Sequence, residues 1–300
     1  MITARSLSKT YRGNIQALHE VNLDIPGTGL FGLLGVNGAG KTTLMRILAG
    51  LLRPSHGHVR VLGHDVATPQ GRRATQSVLG YLPQEFGASP DLTAGEFLDY
   101  IAVLKGITEP AQRQRQVDEM LELTRLADVA GRRLKTYSGG MTRRLGIAQA
   151  LLGKPNLLIV DEPTAGLDPE ERVRFRNLLA EVAQRCPVIL STHIVEDIGQ
   201  SCGEVAVLWQ GAVLFSGAPG ELVDRARGKV WTIVSQGDER PDRGMVVIST
   251  RRALEGTHYR VLGEPSRSSQ PIAAEPTLED GYIWLMHLTR NGIEDGTRLL

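Results

Sequence analysis

At 300 residues the chain is long enough for roughly two domains of about 150 residues each. Its 41% apolar and 22% charged content is ordinary globular usage, which excludes a disordered chain and a disulfide-stapled miniprotein. The 34 Lys+Arg against 33 Asp+Glu leave a net charge of +1, which argues against a domain held on nucleic acid by a strong basic field.

The first 220 residues read as strands alternating with helices. Val21–Ile25 alternates apolar and polar residues, as a half-buried strand does. Leu30–Leu34 is a short apolar run, followed by a glycine-rich turn and a helical stretch over 43–52. Val59–Leu62 and Val78–Leu82 read as strands. Thr93 and Glu96 form a capping-box pattern that opens a helix with Phe97, Leu98, Ile101 and Leu104 on one face. Pro110–Leu126 repeats Val117, Met120, Leu121 and Leu126 at helical spacing. Leu157–Val160 and Val188–Ser191 are strands, and between them Asp168, Pro169 and Glu171 mark a helix start. This alternation predicts a parallel or mixed sheet covered by helices, with an inserted helical subdomain at about 93–153. The character changes near Gly217–Gly220. Residues 229–235, 245–250 and 258–262 read as strands, Ser266–Pro276 as a Ser/Pro-rich connector, and a last helix starts at Thr277 with Asp280 three residues on. The expected domains are therefore 1–220 and a small α+β domain over 221–300.

Gly35–Thr42 fits G-x-x-x-x-G-K-[ST], between an apolar strand and a helix. Such a loop turns backbone N–H groups inward at a helix N-terminus and makes an anion nest. Gly35, Asn37, Gly38, Ala39 and Gly40 would form the cradle. Lys41 would reach the β and γ phosphates, Thr42 would offer its hydroxyl to Mg²⁺, and Thr43 would bond a phosphate oxygen. Leu157–Val160 ends in Asp161 and Glu162, at the strand end where open α/β sheets bind ligands. Asp161 would hold Mg²⁺, and Glu162 would polarise an attacking water.

Between these two elements lies Tyr137-Ser-Gly-Gly-Met141, which resembles the signature loop of the ABC-type (ATP-binding-cassette) ATPases. The other motifs follow in that family's order. Tyr11 stands where an adenine-stacking aromatic is expected, and Gln84 in Tyr-Leu-Pro-Gln resembles the Q-loop. Ala165-Gly-Leu-Asp168 resembles the D-loop, and Ser191-Thr-His193 the switch-histidine loop. The resemblance implies a P-loop NTPase cassette with a mixed sheet, binding ATP and Mg²⁺ and hydrolysing ATP. It implies that Gln84 contacts Mg²⁺ and the water, and that His193 bonds the γ-phosphate. It also implies that Ser138, Gly139 and Gly140 serve the γ-phosphate of an opposite subunit, and that Asp168 is a nucleotide-binding residue. Ser138 is expected as N-cap of the helix it opens.

One phosphate loop and one signature loop predict a head-to-tail pair, a homodimer or a heterodimer with a related subunit. Tyr137 and Met141 depart from the commonest signature and resemble the variant of bacterial export-type members. Glu275–Tyr282 resembles the tail of drug-export subunits.

Several absences set the setting. No run approaches the ~18 apolar residues of a spanning helix, and Met1–Thr10 carries Arg5 and Lys9 with no apolar h-region. The expectation is a transporter ATPase subunit on the cytoplasmic face of the membrane, attached through a transmembrane permease subunit and binding no nucleic acid. Two other readings compete: a soluble ABC-type ATPase acting on ribosomes or DNA, and a P-loop kinase. The first usually carries two cassettes or long coiled-coil insertions, and the second leaves Ser138–Gly140 and Gln84 unexplained. Cys186 and Cys202 have no metal or disulfide spacing. Arg143 and Arg144 read as a polar helix face.

Overall fold

The computed structural model describes residues 2–236, 240–242, 244–265 and 271–292. The chain divides into two compact units, one of Met1–Asp197 and Ser201–Ser216, the other of Ile198–Gln200 and Gly217–Leu300. The part of the expected connector at 266–270 lies outside the described residues.

The first unit opens with β1 (Ile2–Tyr11), β2 (Ile15–Ile25) and β3 (Leu30–Leu34), then α1 (Lys41–Leu48). Next come β4 (His56–Val61), β5 (His64–Asp65), α2 (Pro69–Ser77) and β6 (Leu79–Leu82). Three helices follow, α3 (Ala94–Leu104), α4 (Pro110–Leu123) and α5 (Gly139–Leu151). The unit continues through β7 (Leu157–Asp161), α6 (Pro169–Ala183), β8 (Val188–Thr192) and α7 (Val195–Gly199), whose last two residues group with the second unit. It ends on β9 (Glu204–Trp209) and β10 (Ala212–Gly217).

Among the described residues these strands form two sheets. The first, in the order β2-β1-β4-β5, is antiparallel. The second runs β10-β9-β3-β8-β7-β6, and its β9-β3-β8-β7-β6 segment is parallel. Every residue of β3, β7 and β8 is buried. A parallel strand covered on both faces is mostly apolar, so these strands begin as near-continuous apolar runs in sequence, and β7 and β8 end on the polar residues of the site.

Capping sets the helical block. Thr93 and Glu96 make the reciprocal capping box at α3, the Thr93 hydroxyl accepting from Glu96 N and the Glu96 carboxylate from Thr93 N. Glu109 caps α4, ahead of Pro110. The helix expected at 43–52 begins earlier, at Lys41, and stops at Leu48.

The second unit holds α8 (Pro219–Asp224), β11 (Val230–Ser235), β12 (Val246–Ala253), β13 (Gly256–Leu262), β14 (Ile272–Ala273) and α9 (Leu278–Asn291). Its antiparallel sheet runs β12-β13-β11-β14. The helix expected at Thr277 is α9, and its start explains the Glu-Pro-Thr-Leu-Glu-Asp-Gly stretch. Thr277 is the N-cap, and Asp280 closes a capping box on it. Asp280 is also almost wholly buried and takes both Nε (3.1 Å) and Nη2 (2.5 Å) of Arg260, a fork-on-carboxylate pair from β13. Gly281 abuts the Leu222 carbonyl of α8, where a Cβ would sit 2.1 Å from the oxygen.

Burial alone would raise the Asp280 carboxyl, but hydrogen bonds from Arg260 and Thr277 more than offset it and hold the group below the usual carboxylate range. A depressed native pKa stabilises fully above the ordinary value of about 4 and is lost as pH falls through the native value. Asp280→Asn is therefore expected to destabilise the tail by about 3 kcal/mol at neutral pH. The difference from wild type should shrink as the solution is acidified below about pH 4. Unfolding followed by the fluorescence of Trp231 and Trp284 measures this.

Candidate active site

Ligands in open α/β sheets bind beyond the C-terminal ends of the strands. Here β8 lies between β3 and β7, so three loops meet at one edge: the loop after β3, the acidic end of β7 and the histidine after β8. Gly35 N donates to Thr192 O at 3.3 Å and Glu162 N to Ser191 O at 3.0 Å, which stitches the loops together.

Gly40 is the N-cap of α1 at φ 106°, a backbone region that a side chain disfavours. This turn directs the chain into α1, whose first-turn N–H groups lack intrahelical partners and face the loop. Asn37 and Gly38 are exposed at the loop's outer side, and Ala39 is buried beneath it. The Lys41 side chain is almost fully buried and has three acceptors. Its Nζ lies 2.7 Å from Gly35 O, 3.1 Å from Val36 O and 2.9 Å from Glu162 Oε1.

Glu162 is the hub of the site. It is buried, its φ is +49°, and its second oxygen lies 2.5 Å from His193 Nδ1. Positive φ is uncommon outside glycine and is held only where the surroundings demand it. The carboxylate thus bridges an ammonium and an imidazole.

Asp161 beside it is completely buried. Burial pushes its carboxyl up from the ordinary value, and hydrogen bonding from the Ser191 and Thr42 hydroxyls pulls it back. The Ser191 hydroxyl donates to Oδ1, while Oδ2 has no hydrogen-bonding partner among the described residues. A buried, unsatisfied carboxylate oxygen near a threonine hydroxyl is a donor set suited to a hard divalent cation. The residues present therefore fit Mg²⁺, with Asp161 and Thr42 as its protein-side oxygens.

The remaining sequence-predicted residues divide into two groups. Tyr11 reaches the loop: its hydroxyl lies 3.2 Å from Thr43 Oγ1, and Lys9 Nζ sits 5.4 Å over its ring. Gln84 is exposed after β6, and among the described residues no hydrogen bond joins its side chain to Asp161, Thr42 or Glu162. Its carbonyl instead accepts from Arg143 of α5. Ser138 caps α5, accepting from Met141 N at 3.2 Å, with Gly139 exposed and Gly140 buried behind it. Asp168 caps α6, accepting from Glu171 N at 2.8 Å. No hydrogen bond among the described residues links Ser138, Gly139 or Asp168 to the phosphate loop of the same chain. Tyr137, the departure from the commonest signature, is half-buried and donates to Val129 O at 2.9 Å.

Arg143 and Arg144 are not a solvated helix face. Arg144 Nη1 lies 2.8 Å from Glu171 Oε2, both largely shielded, and this pair joins α5 to α6. Arg143 ties α5 to the Gln84 segment. Ser191 was legible as part of a motif but not as the hydroxyl that orients Asp161.

Residues 18–165 match the family described as ABC transporter. The ABC transporter ATP-binding protein YxlF of Bacillus subtilis (strain 168) is 37% identical over 233 residues, covering 78% of this chain and 76% of that protein. The chain belongs to the ABC transporter ATP-binding protein family. Its chemistry is that of an ABC cassette, an ATP-binding ATPase. Members of this family work with transmembrane subunits and dimerise. Among the described residues no helix is long and apolar enough to cross a membrane. The daunorubicin/doxorubicin resistance ATP-binding protein DrrA of Streptomyces peucetius is 40% identical over 223 residues, 74% of this chain and 66% of that one. Among solved structures, a dimeric post-hydrolysis state of the ATP-binding cassette MJ0796, bound to ADP and Pi, superposes with a TM-score of 0.66 at 25% identity. It covers 73% of this chain and 98% of the MJ0796 chain.

Arg144→Ala leaves Glu171 largely shielded with Arg174 alone, and is expected to cost about 2 kcal/mol in a denaturant titration. Arg174→Ala, which removes a more exposed pairing, should cost under about 1 kcal/mol.

Proposed function

We propose that this ABC cassette hydrolyses ATP with Glu162 as general base, working as one of two head-to-tail copies beneath a transmembrane permease that exports its substrate. The observation that carries the chemistry is the position of Glu162, held between Lys41 at 2.9 Å and His193 at 2.5 Å. A carboxylate so placed accepts a proton from water, while the imidazole orients it and the ammonium meets the terminal phosphates. Asp161 and Thr42 would hold Mg²⁺, which would supply positive charge against the phosphates. The loop from Gly35 through Ala39, with Gly40 and Thr43, wraps the phosphates with N–H and hydroxyl donors, and Tyr11 carries the adenine. Gln84 acts between the site and α5, a role supported by the Arg143 bond to its carbonyl.

Among the described residues Ser138 and Gly139 make no hydrogen bond to their own phosphate loop, which supports their serving the γ-phosphate bound by a second copy. Asp168 belongs to the same shared surface, and Gly140, buried behind Gly139, sits against Glu171 beneath it. A self-complementary pair of identical chains closes with two-fold symmetry, so a homodimer is the expected assembly. Residues 1–220 form the motor, and 221–300 an accessory domain. The export direction is supported by the resistance function in DrrA's name and by the Tyr-Ser-Gly-Gly-Met form of the signature loop. Attachment is to the cytoplasmic face of the membrane through the permease, and no role for nucleic acid is required.

Glu162→Gln should retain ATP binding, lower turnover by about 100-fold or more and accumulate a dimer in sedimentation with ATP and Mg²⁺. Adding Ser138→Arg should return that dimer to monomer. Wild-type turnover in Glu162→Gln overturns the base assignment; an undiminished dimer in the double variant overturns the shared site. Stimulation of hydrolysis by ribosomes or DNA, with none by a co-purifying membrane subunit, would overturn the transport assignment.

A further inference from the structure

Asp197, in the short helix α7, is fully buried and lies outside every motif named above. Its Oδ2 accepts from the Thr164 hydroxyl at 2.6 Å and from the Thr192 hydroxyl at 3.2 Å. Thr192 Oγ1 in turn accepts from Ile194 N at 3.0 Å, closing a tight turn around His193. Arg176 approaches from α6, its Nη1 4.0 Å from Asp197 Oδ1 and 3.2 Å from Glu196 O. One hidden carboxylate thus gathers the segment two residues after Glu162, the residue just before His193 and the turn that follows it.

A buried carboxylate is costly unless it is paired and hydrogen-bonded, and this one spends its bonds on those two loops. The bonds matter because Glu162 and His193 come from different strands, β7 and β8. Their side chains meet at 2.5 Å, with the imidazole 38% exposed. A reacting pair of this kind needs its supporting shell to fix both main chains.

We propose that Asp197 is a positioning residue for ATP hydrolysis. It clamps Thr164 to Thr192 and so keeps the Glu162 carboxylate and the His193 imidazole in register. The assignment deepens the reading of Glu162 as general base and rests on it. Asp197 is fully buried and acts through the Thr164 and Thr192 hydroxyls, so removing the clamp should slow the chemical step and leave nucleotide affinity alone.

The test is made in the full-length chain through Thr164, because replacing Asp197 itself leaves Arg176 without its carboxylate and threatens folding. Thr164→Val keeps the shape and loses the hydroxyl; Thr164→Ser keeps the hydroxyl. Thr164→Val is expected to lower kcat about tenfold with KM for ATP changed less than about twofold. Thr164→Ser should recover kcat to within about threefold of wild type. In a Glu162→Gln background Thr164→Val should have no further effect on the residual turnover, since its action runs through Glu162. A kcat unchanged in Thr164→Val overturns the clamp while leaving the base assignment intact. A loss shared by Thr164→Ser, or one that persists undiminished in the Glu162→Gln background, also overturns it. Wild-type turnover in Glu162→Gln alone removes the base assignment and the clamp's purpose together.

Discussion

The site depends on the placement of β8 between β3 and β7. Each of these strands brings one loop to the same edge, and the parallel register sets their heights: Leu34 pairs with Thr192, and Asp161 with Ser191. The loop after β3, the carboxylates of β7 and the histidine after β8 therefore begin at one level. No flexible segment has to search for its partners. The contacts at Lys41, Asp161 and His193 are short because their main chains leave the sheet side by side.

Electrostatics then shape what that edge does. Lys41, Asp161 and Glu162 are all buried, with Lys41 Nζ 2.9 Å from the Glu162 carboxylate, so two negative charges stand against one positive. Such a group is tolerable only with dense hydrogen bonding, and Ser191, His193 and the Gly35 and Val36 carbonyls supply it. The one oxygen left over, Asp161 Oδ2, is where the balance calls for another positive charge. Asp197 is a further buried carboxylate, and its Oδ2 is held by the hydroxyls of Thr164 and Thr192.

How much of this was legible in sequence follows from which physics leaves a local trace. Phosphate binding demands glycines, a lysine and a hydroxyl at fixed spacing, so Gly35–Thr42 was readable residue by residue. Strands buried on both faces leave apolar runs, so β3, β7 and β8 were readable too. The strand β1 was not: its pairing with β2 shifts register three times and Ser6 sits at φ +45°, which breaks the alternation. The helix α2 buries only Thr75, so it carries no apolar period, and Thr68 with Pro69 was its only signal. The pairs Arg144–Glu171 and Thr164–Asp197 join elements distant in sequence, and nothing in their local residues announces either.

The same strand order bears on how the chain is made. Leu30 of β3 pairs with Val188 on one side, and Phe31 with Glu204 on the other. During synthesis β3 and its glycine loop leave the ribosome early, and both edges of the strand stay bare until most of the cassette has been translated. Unpaired apolar strands of this kind template association with other chains, and distant pairings are slow to form. The nascent chain therefore passes through a long interval in which its most conspicuous motif is present and its binding edge does not exist. Truncation before β8 would leave β3 with neither neighbour, and truncation between β8 and β9 would leave it with one.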